Sequence, residues 1–158
     1  MENTWSEITD TDEVYRLESN IDDCSGELLG YVMGILMEAG AKDVSYTPLF
    51  MKKNRPAYQL NVICAPEDVR KLETIIFEET TTIGIRKMKM ERTILKRRPA
   101  TVQTSLGAAA VKECTLPSGK KRYYPEYEDA VRLAKENGIP LQDAFGIIRK
   151  ACDEQVSR

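Results

Sequence analysis

The 158-residue chain contains no histidine. No Ser-His-Asp or Cys-His pair can form within it, no imidazole can ligate a metal, and no side chain has an unperturbed pKa near neutrality. Any catalysis falls to carboxylates, Lys, Tyr, Cys, a metal or a bound nucleotide. Cysteine is sparse as well. Cys24, Cys64, Cys114 and Cys152 stand far apart and no CxxC occurs, which argues against a zinc knuckle or a thioredoxin-type motif. They read as reduced thiols of a cytoplasmic protein, with Cys64 and Cys152 as small buried hydrophobes. No apolar run approaches the roughly 18 residues of a membrane span. A net charge of −2 and a pI near 5.4 argue against general coating of nucleic acid. The glycine-rich P-loop and the GxGxxG turn are both missing, so a nucleotide would be held by other means.

What is present suits one ordinary domain or two small ones, with 42% apolar and 30% charged residues. Charge is segregated along the chain. Eight acidic residues lie between Glu2 and Asp23 against Arg16 alone, and seven basic ones lie between Arg86 and Arg98 against Glu91. The basic stretch reads either as a solvated strand edge or as a seat for a polyanion.

Residues 1–12 are polar and aperiodic and predict a flexible arm. From Glu13 a strand alternates through Leu17. A helix then runs to about Ala39, capped by Asp22, Asp23 or Ser25, with Leu28, Val32, Ile35 and Leu36 on its inner face and Gly40 ending it. Strands over 43–52 and about 58–64 flank a turn at Asn54-Arg55-Pro56. Pro66 opens a second helix, and a long strand follows from Ile83. The expected fold is α+β: a ferredoxin-like βαββαβ lobe over residues 13–98, then a smaller α+β lobe over 99–158 with two C-terminal helices. Pro99 is read as a break between them.

Four features carry possible chemistry. Gly26, Gly30 and Gly34 recur along one side of the first helix, which suggests close packing on the sheet or a helix-mediated contact between copies. Asp22 and Asp23 can cap the helix, ligate a hard cation or serve as an acid–base pair. Lys52, Lys53 and Arg55 crowd one turn and suit either solvent or phosphate, with Thr80, Thr81, Thr82 and Arg86 as further donors. A ferredoxin-like lobe also raises RNA recognition, but the strand Tyr58-Gln59-Leu60-Asn61-Val62 lacks the paired aromatics such a platform needs.

Eight blocks occur in order: Glu18-Ser19-Asn20-Ile21-Asp22-Asp23, Gly26-Glu27, Gly30-Tyr31, Gly40-Ala41-Lys42-Asp43-Val44, Thr47-Pro48, Met51-Lys52-Lys53-Asn54-Arg55-Pro56, Glu79-Thr80-Thr81-Thr82-Ile83-Gly84-Ile85-Arg86 and Pro125-Glu126-Tyr127. Together they resemble the C-terminal region of the LarC family of nickel-insertion proteins. The resemblance implies a lyase-class, CTP-dependent nickel chelatase that uses Mn²⁺ or Mg²⁺. Its substrate is a pyridinium mononucleotide, and its product is the nickel pincer nucleotide of lactate racemase. It implies CTP phosphates near Lys52, Lys53 and Arg55, with Thr80, Thr81, Thr82 and Arg86 beside them and Asp22 or Asp23 at the metal. No catalytic residue follows from it. The family's larger N-terminal domain has no counterpart here. Expected partners are therefore that domain, further copies of the chain and the lactate racemase apoprotein. The alternative is a non-enzymatic regulatory or oligomerisation module. The missing imidazoles then confine soft nickel ligands to the cofactor or to the absent domain.

Overall fold

The computed structural model describes residues 5–156. In chain order these form α1 (Trp5–Ile8), β1 (Thr9–Ile21), α2 (Gly26–Glu38), β2 (Asp43–Met51), β3 (Arg55–Cys64), α3 (Val69–Glu79), β4 (Arg86–Leu95), β5 (Arg97–Thr104), β6 (Gly107–Thr115), β7 (Lys121–Pro125), α4 (Tyr127–Asn137) and α5 (Leu141–Val156). They divide into two compact units. One spans Thr11–Arg92; the other joins the residues up to Asp10 with those from Thr93 onward. The chain passes between the units twice, once inside β1 and once inside β4. No described helix is long and apolar enough to cross a membrane.

The first unit is the ferredoxin-like lobe, with sheet order β2-β3-β1-β4 and antiparallel pairing of β3 to both β1 and β2. Alternation along β1 turns Leu17, Ser19 and Ile21 inward, and along β3 it turns Leu60, Val62 and Cys64 inward. α2 meets them with Leu29, Val32 and Leu36, and α3 with Leu72 and Ile76. Burying each such leucine contributes about 1.5–3 kcal/mol. Ser25 caps α2, its Oγ accepting from the Leu28 N–H at 3.3 Å. Gly40 closes the helix at φ +103°, a conformation that favours glycine.

Three expectations change here. Leu28, expected on the inner face of α2, is exposed, and Leu29 packs in the core instead. The strand expected from Ile83 begins at Arg86, because residues 80–85 form a loop pinned through hydroxyl hydrogen bonds and Ile83 is 98% exposed. Gly26, Gly30 and Gly34 do not pack on the sheet. They lie on the solvent side of α2, where a Cβ added at any of them would meet no atom within 4 Å.

In the second unit the sheet runs β5-β6-β7, all antiparallel. Val102, Ala109 and Val111 pack with Ala130 and Leu133 of α4 and Ile148 and Cys152 of α5. Pro99 is not a break; it lies inside β5 opposite Lys112. β5 is an edge strand, where proline's missing N–H forfeits no ladder bond. The expected arm is ordered from Trp5 onward, while residues 1–4 lie outside the described residues. Ile8 and Thr9 are buried, and the Ile8 carbonyl accepts from the Lys96 N–H at 2.7 Å. The units therefore divide after Asp10 and after Arg92, where the sequence suggested residues 12 and 98.

The segregated charges also find a structural reason. Acidic β1 lies beside basic β4 in the sheet, and Asp12 pairs with Arg92, Glu13 with Lys89 and Glu18 with Arg86. Over Arg86–Arg92 the basic stretch is thus a strand edge matched by its neighbour's carboxylates, not an open seat for a polyanion.

Candidate functional site at the β2–β3 hairpin

β2 and β3 pair as far as Met51 opposite Arg55, leaving Lys52, Lys53 and Asn54 to turn the chain. The turn is tight and strained. Lys53 (φ 62°, ψ 24°) and Asn54 (φ 54°) both sit in the left-handed region, which costs an ordinary L-residue about 1–2 kcal/mol. All three side chains are exposed, and among the described residues Lys52 and Lys53 have no ion-pair partner. Two ammonium groups are thus held in solvent at a strained tip, with Phe50, 76% exposed, just before them.

The segment between β1 and α2 lies against this hairpin. Since Ser25 takes the cap, neither Asp22 nor Asp23 is needed there. The Arg55 Nη1 donates to Asp22 Oδ2 at 3.0 Å, and the Thr81 hydroxyl donates to Asp23 Oδ1 at 2.5 Å. The structure therefore joins the acidic pair to the basic turn through Arg55 and to the 80–82 loop through Thr81. Thr80 and Thr82 point elsewhere. Thr80 donates to the Ile76 carbonyl at 2.7 Å, and Thr82 hydrogen-bonds Ser19 and the Gly84 carbonyl. Arg86 is engaged with Glu18 and Asn20, both at 2.7 Å. Those two residues alternate with the inward Leu17, Ser19 and Ile21, so Arg86 lies on the sheet face away from the core.

No three Cys, Asp or Glu side chains come together into a metal cluster among the described residues. Asp22 and Asp23 offer hard oxygen donors only. That chemistry fits Mg²⁺ or Mn²⁺ if phosphate and water complete the shell, and it does not suit a soft nickel site. Burial, with Asp23 adding to it, pushes the nearby Cys24 thiol up, so it is no ready thiolate.

One feature escaped the sequence reading. A cavity of about 240 Å³ adjoins Asp22 and Cys24 and is walled by Pro48, Leu49, Phe50, Pro56 and Tyr58. Its aromatic wall is braced, since Tyr58 meets Tyr46 edge-on at 6.4 Å and Tyr46 donates to the Leu29 carbonyl at 2.8 Å. Burial pushes Tyr46 up to about 12, which keeps that donor protonated. The available signal was Phe50 and Tyr58 flanking the basic turn at either side.

The nickel insertion protein family model matches residues 3–145. The chain belongs to that family. It is 50% identical over 141 residues to the pyridinium-3,5-bisthiocarboxylic acid mononucleotide nickel insertion protein of Alkaliphilus metalliredigens, covering 89% of this chain and 33% of that protein. The protein of the same name from Acetivibrio thermocellus is 48% identical over 140 residues, covering 89% and 34%. The chain thus spans about a third of the length of the curated relatives it matches. Among solved structures it aligns with LarC2, the C-terminal domain of a cyclometallase involved in the synthesis of the NPN cofactor of lactate racemase, at a TM-score of 0.84 and 42% identity. That alignment covers 91% of this chain and 99% of LarC2. Protein MK0293 from Methanopyrus kandleri shares the fold at a TM-score of 0.65 and 21% identity, over 92% and 90% of the two chains.

Proposed function

We propose that this chain binds CTP with Mn²⁺ or Mg²⁺ as the C-terminal part of a nickel-insertion enzyme. The pair of solvent-held lysines beside the Asp22–Arg55 bridge carries this reading. Lys52 and Lys53 meet the outer phosphates as point charges. Arg55 presents its planar fork while Asp22 holds it in place. Asp22 and Asp23 supply two carboxylate oxygens to a divalent ion that the phosphates also bind, an arrangement usual for Mg²⁺. The apolar cavity lined by Phe50 and Tyr58 is of a size and chemistry for a flat base. Thr81 steadies Asp23, and Thr80, Thr82 and Arg86 shape the loop behind it.

In this reading the whole enzyme is a CTP-dependent, lyase-class cytoplasmic protein. It inserts nickel into the pyridinium mononucleotide named for its relatives and serves lactate racemase maturation. The N-terminal part of the full-length protein brings the nickel-handling groups. Isothermal titration with CTP and ATP in the presence of Mn²⁺ tests the nucleotide assignment. CTP binds more tightly than ATP, and a Lys52→Ala/Lys53→Ala double variant loses at least tenfold in affinity. Absent binding, or equal binding of the two nucleotides, removes CTP from this domain.

The second reading, an oligomerisation module, draws on the open glycine face of α2, where Tyr31 and Met37 are also exposed. It predicts a light-scattering mass above the monomer that falls with Gly30→Leu. An unchanged mass excludes that helix as the contact.

A further inference from the structure

The second unit carries a cluster of cations that the hairpin reading leaves unused. Across its three strands Arg98, Glu113 and Tyr123 stand in one row, and Thr115 stands opposite Lys121 two residues further along the same face. This face also carries Val111 and Ala109, so the row begins where the apolar core ends. Glu113 is 7% exposed. A single one of its oxygens, Oε1, accepts from Arg98 Nε at 3.0 Å, Arg98 Nη2 at 2.7 Å and Lys121 Nζ at 3.1 Å. Burial alone would raise its carboxyl, but donors from Arg98, Lys121 and Tyr123 outweigh that and hold it below the usual range.

One buried carboxylate therefore fixes a guanidinium and an ammonium side by side, although one cation would satisfy its charge. Both cations keep open donors, with the Arg98 side chain 66% and the Lys121 side chain 50% exposed. They border a cavity of about 370 Å³ that Lys96, Arg97 and Thr115 also line. Arg97, opposite Cys114, belongs to the other sheet face, so Arg98 and Lys121 are the two cations that share Glu113. Lys96 is partly occupied by the Ser6 carbonyl and by Asp10, while Arg97 has no ion-pair partner among the described residues. Charge in excess of its internal partner, held in place beforehand around a small cavity, suits a compact dianion.

We infer that this cavity is a second anion site that takes a phosphate monoester. Arg98 and Lys121 grip the phosphate, Thr115 supplies a hydroxyl, and Glu113 is the positioning residue behind the two cations. The site is independent of the CTP reading, because all its residues belong to the other unit.

Amide NMR of the whole chain, titrated with ribose 5-phosphate, inorganic phosphate and ribose, tests it. Ribose 5-phosphate shifts the amides of Glu113, Thr115 and Lys121, and ribose does not. Equal shifts from inorganic phosphate assign the site to the free ion; weaker ones assign it to the ester. Arg98→Gln and Lys121→Gln each weaken binding about tenfold, with the Val102 and Ala109 amides unmoved as the sign of an intact fold. The Lys52→Ala/Lys53→Ala variant keeps the response. Silence at these three amides in the unsubstituted protein overturns the assignment. So does a response that survives both glutamine substitutions, or one that disappears with the hairpin lysines.

Discussion

Two adjacent left-handed residues, neither of them glycine, make the hairpin tip the costliest backbone in the first unit. Lys53→Gly removes the steric penalty and adds a smaller entropic cost in the unfolded chain, so stability rises by about 0.5–1 kcal/mol in denaturant melts. Under the proposed function the same substitution also deletes an ammonium that meets the CTP phosphates, so CTP affinity falls. Opposite signs in the two measurements distinguish a lysine kept for binding from one kept for folding. Asp12 offers a pH test at the same scale. Hydrogen bonds from Arg92 and then Lys42 hold its carboxyl down to about 2 against an ordinary 3.8. A carboxylate lowered on folding stabilises above its unfolded pKa and loses that effect as pH falls through the folded one. The melting difference between the parent and Asp12→Asn is therefore full above about pH 4 and shrinks towards pH 2. Residue type alone marked Asp22 and Asp23 as hard-oxygen donors and Lys52, Lys53 and Arg55 as cations crowded in one turn; only the family resemblance joined the two groups into one site. The sequence could not show that Ser25 takes the cap, nor that Arg55 reaches across 33 positions to Asp22.

Elements were legible where their period is local. The inward rows of β1 and β3 and the stop at Gly40 all follow from spacing that neighbouring residues set. The glycine stripe of α2 misled because a period identifies a face without saying which side the sheet occupies. Leu29, Val32 and Leu36 take the sheet side, which leaves Gly34 in open space. With no clash to offset it, Gly34→Ala stabilises the helix by about 1 kcal/mol, read as a rise in melting temperature. A drop in melting temperature that appears only at concentrations where the protein self-associates would place that face against a second copy. β4 shows the converse limit. Its basic residues were obvious as a run, but their meaning depended on β1 lying alongside, a pairing of residues some 70 to 80 apart in sequence that no local pattern encodes. Pro99 misled for a related reason: it marks an edge strand as readily as a break, and only the sheet order decides between them.

At the scale of the molecule, the two cores share no residue. One is built on Leu17, Leu36, Leu60 and Leu72, the other on Val102, Leu133 and Ile148. Two lobes were readable from the change of element pattern after β4. Their limits were not, because β1 and β4 each run unbroken from one unit into the other and no turn signal marks the crossing. This connection makes the cooperativity of the whole chain measurable. Leu36→Ala removes a fully buried side chain from the first core and costs about 2–5 kcal/mol there. If each core is its own cooperative unit, amides of β2, β3 and α3 exchange faster in this variant by the corresponding factor, while those of β6 and α5 keep their parent rates. Ile148→Ala gives the mirror pattern. Uniform acceleration in either variant means that the strands crossing at Asp10–Thr11 and Arg92–Thr93 transmit unfolding. The hairpin and the Glu113 cavity would then gain and lose stability together, and a ligand at one would raise exchange protection at the other.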